Sequence, residues 1–208
     1  MAKEALSLDL DGPTIWRIIP VQSGATRKYR KHGPSIYAAH PDIRKRESFS
    51  PRREVLTLSE YPSFLAHLIR FVFPDAGKAL LALPARIDVV GNTGRPDKLA
   101  WTNMTQGTLK RGQIWDRLEG VLHKPGDFHT TESKIANIAM LRILYKRLAH
   151  ADDNPADALP IAATFPDVDV CIVRDLSTDF LLSGVNLERD FPNVTVVSTL
   201  RQALEVLF

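Results

Sequence analysis

Residues 7–14 read Ser-Leu-Asp-Leu-Asp-Gly-Pro-Thr, and they close a short apolar segment with two carboxylates and two chain-breaking residues. Residues 4–10 alternate between apolar and polar side chains, which predicts a β-strand. The Gly-Pro pair that follows favours a sharp turn. Asp9 and Asp11 are therefore expected at the carboxyl end of a strand, just where the chain changes direction.

Further strands alternate with helices along the chain. Residues 85–96 run from an apolar strand into a Gly-rich turn, and residues 168–173 and 193–198 each contain a largely apolar run. Strands of this kind, separated by helices, predict an α/β fold whose parallel sheet is covered on both faces and gathers its carboxyl ends along one edge. Helices are predicted at 59–73, 75–83, 132–151 and 200–207, while 96–128 is expected to be irregular, with short helices near 96–101 and 114–122.

Composition places the chain among ordinary globular proteins. Its 208 residues are 44% hydrophobic and 25% charged, and the mean hydropathy is −0.12. These values predict a single soluble domain over residues 1–208. With no apolar run near the roughly 20 residues that span a bilayer and no signal-peptide pattern, we expect a cytoplasmic protein without a membrane partner. Cys171 is the one cysteine, so no internal disulfide can form, and its apolar neighbours predict a core position.

Residues 23–54 form a basic segment that is rich in Gly and Pro. Nine Lys or Arg residues and two acidic residues lie between residues 27 and 53, so this part carries +7 and the rest of the chain −4. Two tyrosines, Tyr29 and Tyr37, are interleaved with the cations. The pattern suits contact with nucleic acid, through phosphate pairing and base stacking, or a solvated loop that neutralises an acidic site or partner.

Polar residues stand where the predicted strands end and where the long helix begins. Two pairs of carboxylates at strand ends can hold a hard cation such as Mg²⁺, which prefers oxygen ligands. A lysine and a hydroxyl nearby can bind phosphate oxygens and offset the charge that develops in phosphoryl transfer. The residues are Asp9, Asp11, Thr93, Lys134, Asp175 and Asp179.

In this order, the set resembles the motifs of the haloacid dehalogenase-like (HAD) hydrolase superfamily. Asp9-Leu10-Asp11-Gly12 matches the family's D-x-D-G at the end of the first strand, and Thr93-Gly94-Arg95 matches the Thr-Gly-Arg form of its second motif. Lys134 stands near the start of a later helix, as in the third motif. Asp175 and Asp179 supply a D-x(3)-D after an apolar strand, as in the fourth.

The resemblance implies a fold and a mechanism. The fold is a Rossmann-like three-layer sandwich with a mainly parallel sheet, carrying residues 23–54 as a cap-like insertion after the first strand. Asp9 is the expected nucleophile, which forms an aspartyl-phosphate, and Asp11 is the expected general acid and base. Thr93 and Lys134 would hold the phosphoryl oxygens, and Mg²⁺ would be bound by Asp9, the backbone carbonyl of Asp11, Asp175 and Asp179.

The implied function is a Mg²⁺-dependent phosphatase acting on a phosphate monoester, such as a nucleotide or a nucleic-acid end. Substrate contacts are expected from two groups, one at the strand ends and one in the insertion: Gly12, Gly94, Arg95, Arg27, Lys28 and Arg30. The alternative is a noncatalytic protein of the same fold that grips nucleic acid or an acidic partner through residues 27–53. The oligomeric state is left open.

Other interpretations of the same residues compete with this one. Asp9 and Asp11 also suit a plain Asp-Gly-Pro turn, and Lys134 an exposed helix position. Glu132 and Lys134 have the E-x-K spacing of a nuclease motif, although that motif belongs on a strand. Three residues of metal-binding type, Asp127, His129 and Glu132, lack the spacing of a zinc site. The sequence also departs from the family pattern at Pro13, at Gly91-Asn92 and at Arg174.

Overall fold

A computed structural model describes residues 3–15, 70–125, 128–175 and 178–208. The basic segment 23–54, with Arg27, Lys28 and Arg30, lies outside the described residues, as does most of the helix predicted at 59–73. Six strands are described: β1 (Glu4–Leu8), β2 (Ile87–Pro96), β3 (Leu118–Lys124), β4 (Arg147–Asp152), β5 (Asp169–Val173) and β6 (Val194–Val197).

The six strands form one sheet in the order β3-β2-β1-β4-β5-β6, and every pair is parallel. The central strand β1 therefore lies between β2 and β4. Its Ser7 is level with Val90 of β2 and with His150 of β4. Since all strands run the same way, their carboxyl ends meet at one edge, as the sequence predicts.

Helices connect the strands. They are α1 (Pro74–Ala82), α2 (Leu99–Arg111), α3 (Thr130–Leu144), α4 (Pro155–Thr164), α5 (Thr178–Leu181), α6 (Leu187–Asp190) and α7 (Leu200–Leu207), with a 3-10 turn at Trp115–Arg117. Their starts follow common capping rules. Pro74 and Pro155 occupy the first turns of α1 and α4, and the side chain of Thr199 accepts a hydrogen bond at the start of α7.

Two hydrophobic cores lie on opposite faces of the sheet. Leu6 and Leu8 of β1 join the core that α1, α2 and α7 cover, whereas Ala5 joins the core under α3 and α4. Successive side chains of a strand point to opposite faces, so one strand serves both cores. The fold is thus the three-layer α/β sandwich that the sequence predicts, with residues 5–8 buried throughout.

Three predicted element boundaries are wrong. Within the stretch 96–128, residues 96–125 are mostly regular, because they hold α2, the 3-10 turn and β3. The helix predicted at 132–151 ends at Leu144, and its last residues form β4 instead. Residues 70–73, assigned to a helix, are extended and precede α1, with Val72 bridged to Ile15.

Among the described residues, no helix combines the length and the apolar character that a membrane crossing requires.

The two faces of α3 offer a test of which core contacts stabilise the fold. Ile138 is fully buried under the sheet, whereas Ile143 on the same helix is 85% exposed. We expect Ile138→Ala to lower the free energy of unfolding by about 2–5 kcal/mol, because it removes buried contacts and leaves a cavity. Ile143→Ala should change it by less than about 0.5 kcal/mol. Urea denaturation measures both, and equal effects would contradict this packing.

Candidate active site at the carboxyl edge of the sheet

Alternate residues of β1 and β4 lie on the same face of the sheet and become polar toward its carboxyl edge. On the face covered by α3, Ala5 and Ser7 of β1 are followed by Asp9, and Leu148 and His150 of β4 by Asp152. The strands are in register, and the N–H of Asp9 donates to the carbonyl of Ala151 at 2.8 Å. Asp9 and Asp152 therefore end neighbouring strands on the same side of the sheet.

Lys134 reaches these carboxylates from α3. Its ammonium lies 2.6 Å from Asp152 Oδ2, 3.3 Å from Asp9 Oδ1 and 3.4 Å from Asp157 Oδ2, and the side chain is only 2% exposed. Burial alone would lower the pKa of Lys134, but the three carboxylates raise it well above its usual range. The ammonium is therefore held in its charged form. Lys134 is a buried site residue and not an exposed helix position.

Asp152 is fixed by two further partners. Its Oδ1 accepts the backbone N–H of Asn154 at 2.9 Å, and its Oδ2 lies 3.2 Å from His150 Nε2. Burial raises the pKa of this carboxyl, yet attraction to Lys134 and the contacts with His150 outweigh it, so the pKa lies well below its usual range. Asp152 is accordingly a fully buried carboxylate that stays ionised.

Asp157 is oriented by the start of α4. Its Oδ1 accepts a hydrogen bond from the hydroxyl of Thr131, and its Oδ2 accepts one from the Asn154 side chain at 3.0 Å. Asn154 also caps α4 through the N–H of Ala156. These contacts tie the first turns of α3 and α4 to the same ammonium.

A carboxylate cluster lies beside Lys134. Asp9, Asp152 and Asp153 are all buried and can bring one oxygen each within 4.8 Å of the others. In the part of the chain that the structure describes, no other His, Cys, Asp or Glu side chains form such a group of three. Three carboxylate oxygens are the donor set of a hard divalent cation. With Asp157, the site holds four buried carboxylates and one buried ammonium, an excess of negative charge that such a cation would offset.

Gly12 is required where the loop after β1 passes Asp153. Its φ is +104°, a conformation that L side chains rarely adopt, and a Cβ at this position would lie 2.0 Å from Asp153 Oδ2. The loop is closed by the N–H of Ile15, which donates to Leu10, and by the hydroxyl of Thr14, which donates to the carbonyl of Asp9 at 3.3 Å. The absence of a side chain at Gly12 lets Asp153 approach the loop, and the role of Gly12 as a substrate contact stays a prediction.

Asp11 is paired with two arginines. Arg95 forms a bidentate contact with it, Nε to Oδ2 at 2.8 Å and Nη2 to Oδ1 at 2.7 Å, and Arg70 Nη1 donates to Oδ1 at 2.8 Å. The remaining Nη1 of Arg95 donates to Thr105. The guanidinium of Arg95 is buried and bound to Asp11 and Thr105, and its role as a substrate contact stays a prediction.

The end of β2 brings Asn92, Thr93 and Gly94 to the same edge. Thr93 is buried, and its hydroxyl accepts the N–H of Arg95 at 3.2 Å. A Cβ on Gly94 would meet Thr130 Cγ2 at 2.5 Å, so this glycine lets the end of β2 pack against the start of α3. Its role as a substrate contact stays a prediction.

Behind the carboxylates, a buried polar network joins β1, β2, β4 and α3. The Asn92 amide donates to Ser7 Oγ at 3.2 Å and accepts from Asn137 at 2.9 Å. His150 Nδ1 lies 3.1 Å from both the hydroxyl and the carbonyl oxygen of Ser7. These bonds hold the ring of His150 against Asp152, so the network positions one of the carboxylates of the site.

Among the described residues, Asp175 and Asp179 do not belong to the carboxylate cluster of Asp9, and their role as metal ligands stays a prediction. Both follow β5, whereas the strand beside β1 is β4. Asp175 Oδ1 accepts a hydrogen bond from the Thr178 hydroxyl at 3.0 Å, and Asp179 is exposed and pairs with Arg174 at 2.9 Å.

Asp152, Asp153 and Asp157 are the residues that sequence reasoning missed. A signal was present, because Asp153 and Asp157 form a second D-x(3)-D with the same spacing as Asp175 and Asp179. The alternative nuclease interpretation of Glu132 does not hold, since Glu132 lies on α3 and its side chain accepts the N–H of His129 at the helix start.

Removing the ammonium should reverse the pH dependence of stability. In the wild type, the pKa of Asp152 is depressed, so its contribution is present above about pH 4, the unfolded value, and lost below it. In Lys134→Met, the same carboxylates stay buried without their cation, at a cost of about 3–5 kcal/mol at pH 7. Protonation then relieves the charge, so this variant should gain stability from pH 7 to pH 5.

Urea unfolding in the presence of a chelator measures this change, with Lys146→Met, which alters an exposed lysine just beyond α3, as the matched control. Equal losses in the two variants, or a variant that weakens as the pH falls, would contradict a charged Lys134 at the centre of the site.

Comparisons with known proteins identify the fold. No family model and no curated protein match the chain. It is similar in structure to a haloacid dehalogenase-like family hydrolase from Streptococcus pneumoniae, at 14% identity over 98% of both chains with a TM-score of 0.57. A predicted phosphatase from Clostridium acetobutylicum has 11% identity over 99% of this chain and 98% of its own, with a TM-score of 0.54.

An L-2-haloacid dehalogenase from Xanthobacter autotrophicus, with chloropropionic acid covalently bound, has 16% identity over 99% of this chain and 98% of its own, and a TM-score of 0.51. At such identities the likeness concerns the fold. The sheet order, the carboxyl-edge site and these neighbours agree: the chain has the fold of the haloacid dehalogenase-like hydrolase superfamily.

Proposed function

We propose that this protein is a Mg²⁺-dependent phosphatase that hydrolyses a phosphate monoester through an aspartyl-phosphate on Asp9. The observation that carries the proposal is the buried group of Asp9, Lys134, Asp152 and Asp153 at the carboxyl edge of the sheet. A phosphatase and a dehalogenase with a covalently bound acid among the structural neighbours support chemistry of this class on this fold.

Asp9 is the nucleophile in this proposal. Its carboxylate oxygen forms a bond to phosphorus while the bond from phosphorus to the ester oxygen breaks, and the departing oxygen takes up a proton. Water then attacks phosphorus in the aspartyl-phosphate, which releases inorganic phosphate and restores Asp9. Lys134, 3.3 Å from Asp9 Oδ1, holds the carboxylate in place and supplies positive charge beside the phosphoryl oxygens.

Mg²⁺ is proposed to bind to Asp9, Asp152 and Asp153. These ligands differ from the sequence prediction, which includes Asp175 and Asp179. When bound, the cation supplies charge that neutralises the phosphoryl oxygens and draws a dianionic substrate toward an acidic site. Asp157 and His150 are positioning residues here, because they contact Lys134 and Asp152 and do not join the carboxylate cluster.

Asp11 is proposed to donate a proton to the leaving oxygen. Its two arginine partners favour the carboxylate, so it can act as an acid only when those ion pairs loosen. The hydroxyl of Thr93 is proposed to donate a hydrogen bond to a phosphoryl oxygen.

Replacing the nucleophile should abolish turnover. Asp9→Asn keeps the size of the side chain but removes its nucleophilic oxygen anion, so hydrolysis of p-nitrophenyl phosphate with Mg²⁺ should fall by on the order of 10³-fold or more. Release of p-nitrophenol is the measurement, and Asp179→Asn, which alters an exposed carboxylate away from the cluster, is the control.

A wild type that turns over none of a broad panel of phosphate esters, yet binds nucleic acid with a steep salt dependence, would favour the noncatalytic alternative.

Metal binding can be tested without activity. A ligand that binds only the folded state raises stability by about 2.7 kcal/mol at one hundred times its Kd, so Mg²⁺ should raise the Tm of the wild type. Asp153→Asn should shift the Mg²⁺ dependence of Tm to higher concentration, whereas Asp175→Asn should leave it unchanged. Thermal unfolding across a Mg²⁺ titration measures this, and the reverse order of the two variants would restore the ligand set predicted from sequence.

A further inference from the structure

A pocket of about 890 Å³ adjoins the carboxylate cluster on the side of β5 and β6. It is bounded by Gly12 and Pro13 of the loop after β1, by Asp153, by the start of α1, by the end of β5 and by the start of α7. Gly12 and Asp153 thus belong both to the site and to the pocket. A volume in this range is that of a small-molecule site.

The pocket adjoins the place proposed for the phosphoryl group. Asp153 forms the carboxylate cluster together with Asp9 and Asp152, and it also lines the pocket. Apart from Gly12 and Asp153, the residues that line the pocket belong to no part of the site described above. The pocket therefore offers room for the organic part of a substrate.

The walls of the pocket are mostly apolar. Carbon surface comes from Pro13, Phe73, Ala76, Val173 and Leu200, which belong to four separate segments of the chain. Apolar walls of this kind favour a ligand with an apolar ring, because burying the faces of a ring against carbon surface removes them from water.

The charged residues of the walls nearly balance. The lining includes two arginines, Arg174 and Arg201, and three aspartates, Asp75, Asp153 and Asp175. A second phosphate or a carboxylate on the substrate would gain little here, since the net charge of the lining is not positive. Hydroxyl and amine groups, in contrast, can donate to Asp75 or Asp175, and arginine can stack on a flat ring.

We infer that this pocket binds the leaving group of the substrate, and that the leaving group is neutral and nucleoside-like, with a flat ring and hydroxyl groups. The inference rests on the proposed phosphatase function and narrows it to nucleoside monophosphates. In the hydrolysis, the ester oxygen stays with the nucleoside, and phosphorus takes its new oxygen from water.

An obstruction at the pocket rim tests the inference. Ser198 lines the pocket and is exposed, so Ser198→Trp adds bulk there without disturbing a buried side chain; Ser183→Trp, at an exposed serine outside the lining, is the matched control. Three substrates are compared by phosphate release: adenosine 5′-monophosphate, the small 2-phosphoglycolate, and adenosine 3′,5′-bisphosphate, which carries an additional charged group.

The wild type should prefer adenosine monophosphate by at least about tenfold in kcat/KM over each of the other two. Ser198→Trp should lower that value for adenosine monophosphate by at least about tenfold, with 2-phosphoglycolate unchanged, and Ser183→Trp should alter neither. Preference for 2-phosphoglycolate, or equal losses for all substrates, would overturn the inference while leaving the phosphatase function in place.

Binding of adenosine, measured by calorimetry, separates the pocket from the chemistry. Binding to the wild type and to Ser183→Trp that is lost in Ser198→Trp supports the pocket, even if no ester is hydrolysed and the proposed function fails. Absence of adenosine binding to the wild type, together with turnover of 2-phosphoglycolate, rejects the pocket and keeps the phosphatase. If the wild type neither binds adenosine nor hydrolyses any of the three phosphate esters, the pocket and the phosphatase function are both rejected.

Discussion

The buried ammonium of Lys134 is the charge on which the site depends. Four buried carboxylates, Asp9, Asp152, Asp153 and Asp157, come together from three segments of the chain, and Lys134 is within 3.4 Å of three of them. Ion pairs at this depth contribute little net stability, but removing one partner leaves uncompensated charge and is strongly destabilising. Lys134 therefore fixes α3 relative to β1, β4 and α4, and the proposed Mg²⁺ would offset part of the remaining negative charge.

Strand alternation explains why the apolar core and the polar site can share the same strands. Residues 5–8 of β1 supply both cores, but on the face under α3 the sequence changes from Ala5 to Ser7 and then to Asp9. In β4, the same face changes from Leu148 to His150 to Asp152. Polarity thus increases toward the carboxyl edge in neighbouring strands that are in register, and the polar network around Ser7 satisfies the hydrogen bonds that this change requires.

Local sequence was sufficient for the fold class and for two central residues of the site, Asp9 and Lys134, since a strand-end carboxylate and a lysine in an early helical turn have recognisable patterns. It was insufficient for the acidic partners, because the apolar spacing of α3 continues through residues 147–151, which form β4. Absorbing β4 into the helix moved the fourth motif to β5. The pairing of Asp11 with Arg70 and Arg95 depends on contacts across 59 and 84 positions, which no local pattern contains.

That pairing also limits what the loop after β1 can do. Asp9 and Asp11 are two residues apart, yet one lies beside an ammonium shared with other carboxylates, and the other is clamped by two guanidinium groups of its own. The nucleophile proposed at Asp9 needs a carboxylate oxygen, and the ammonium of Lys134 lies 3.3 Å from its Oδ1. A proton carrier must change its charge, and at Asp11 each gain of a proton weakens three hydrogen bonds to arginine. The proposed role of Asp11 as a proton carrier therefore requires these ion pairs to loosen, and a dianionic phosphate near the loop would compete with Asp11 for the same guanidinium groups.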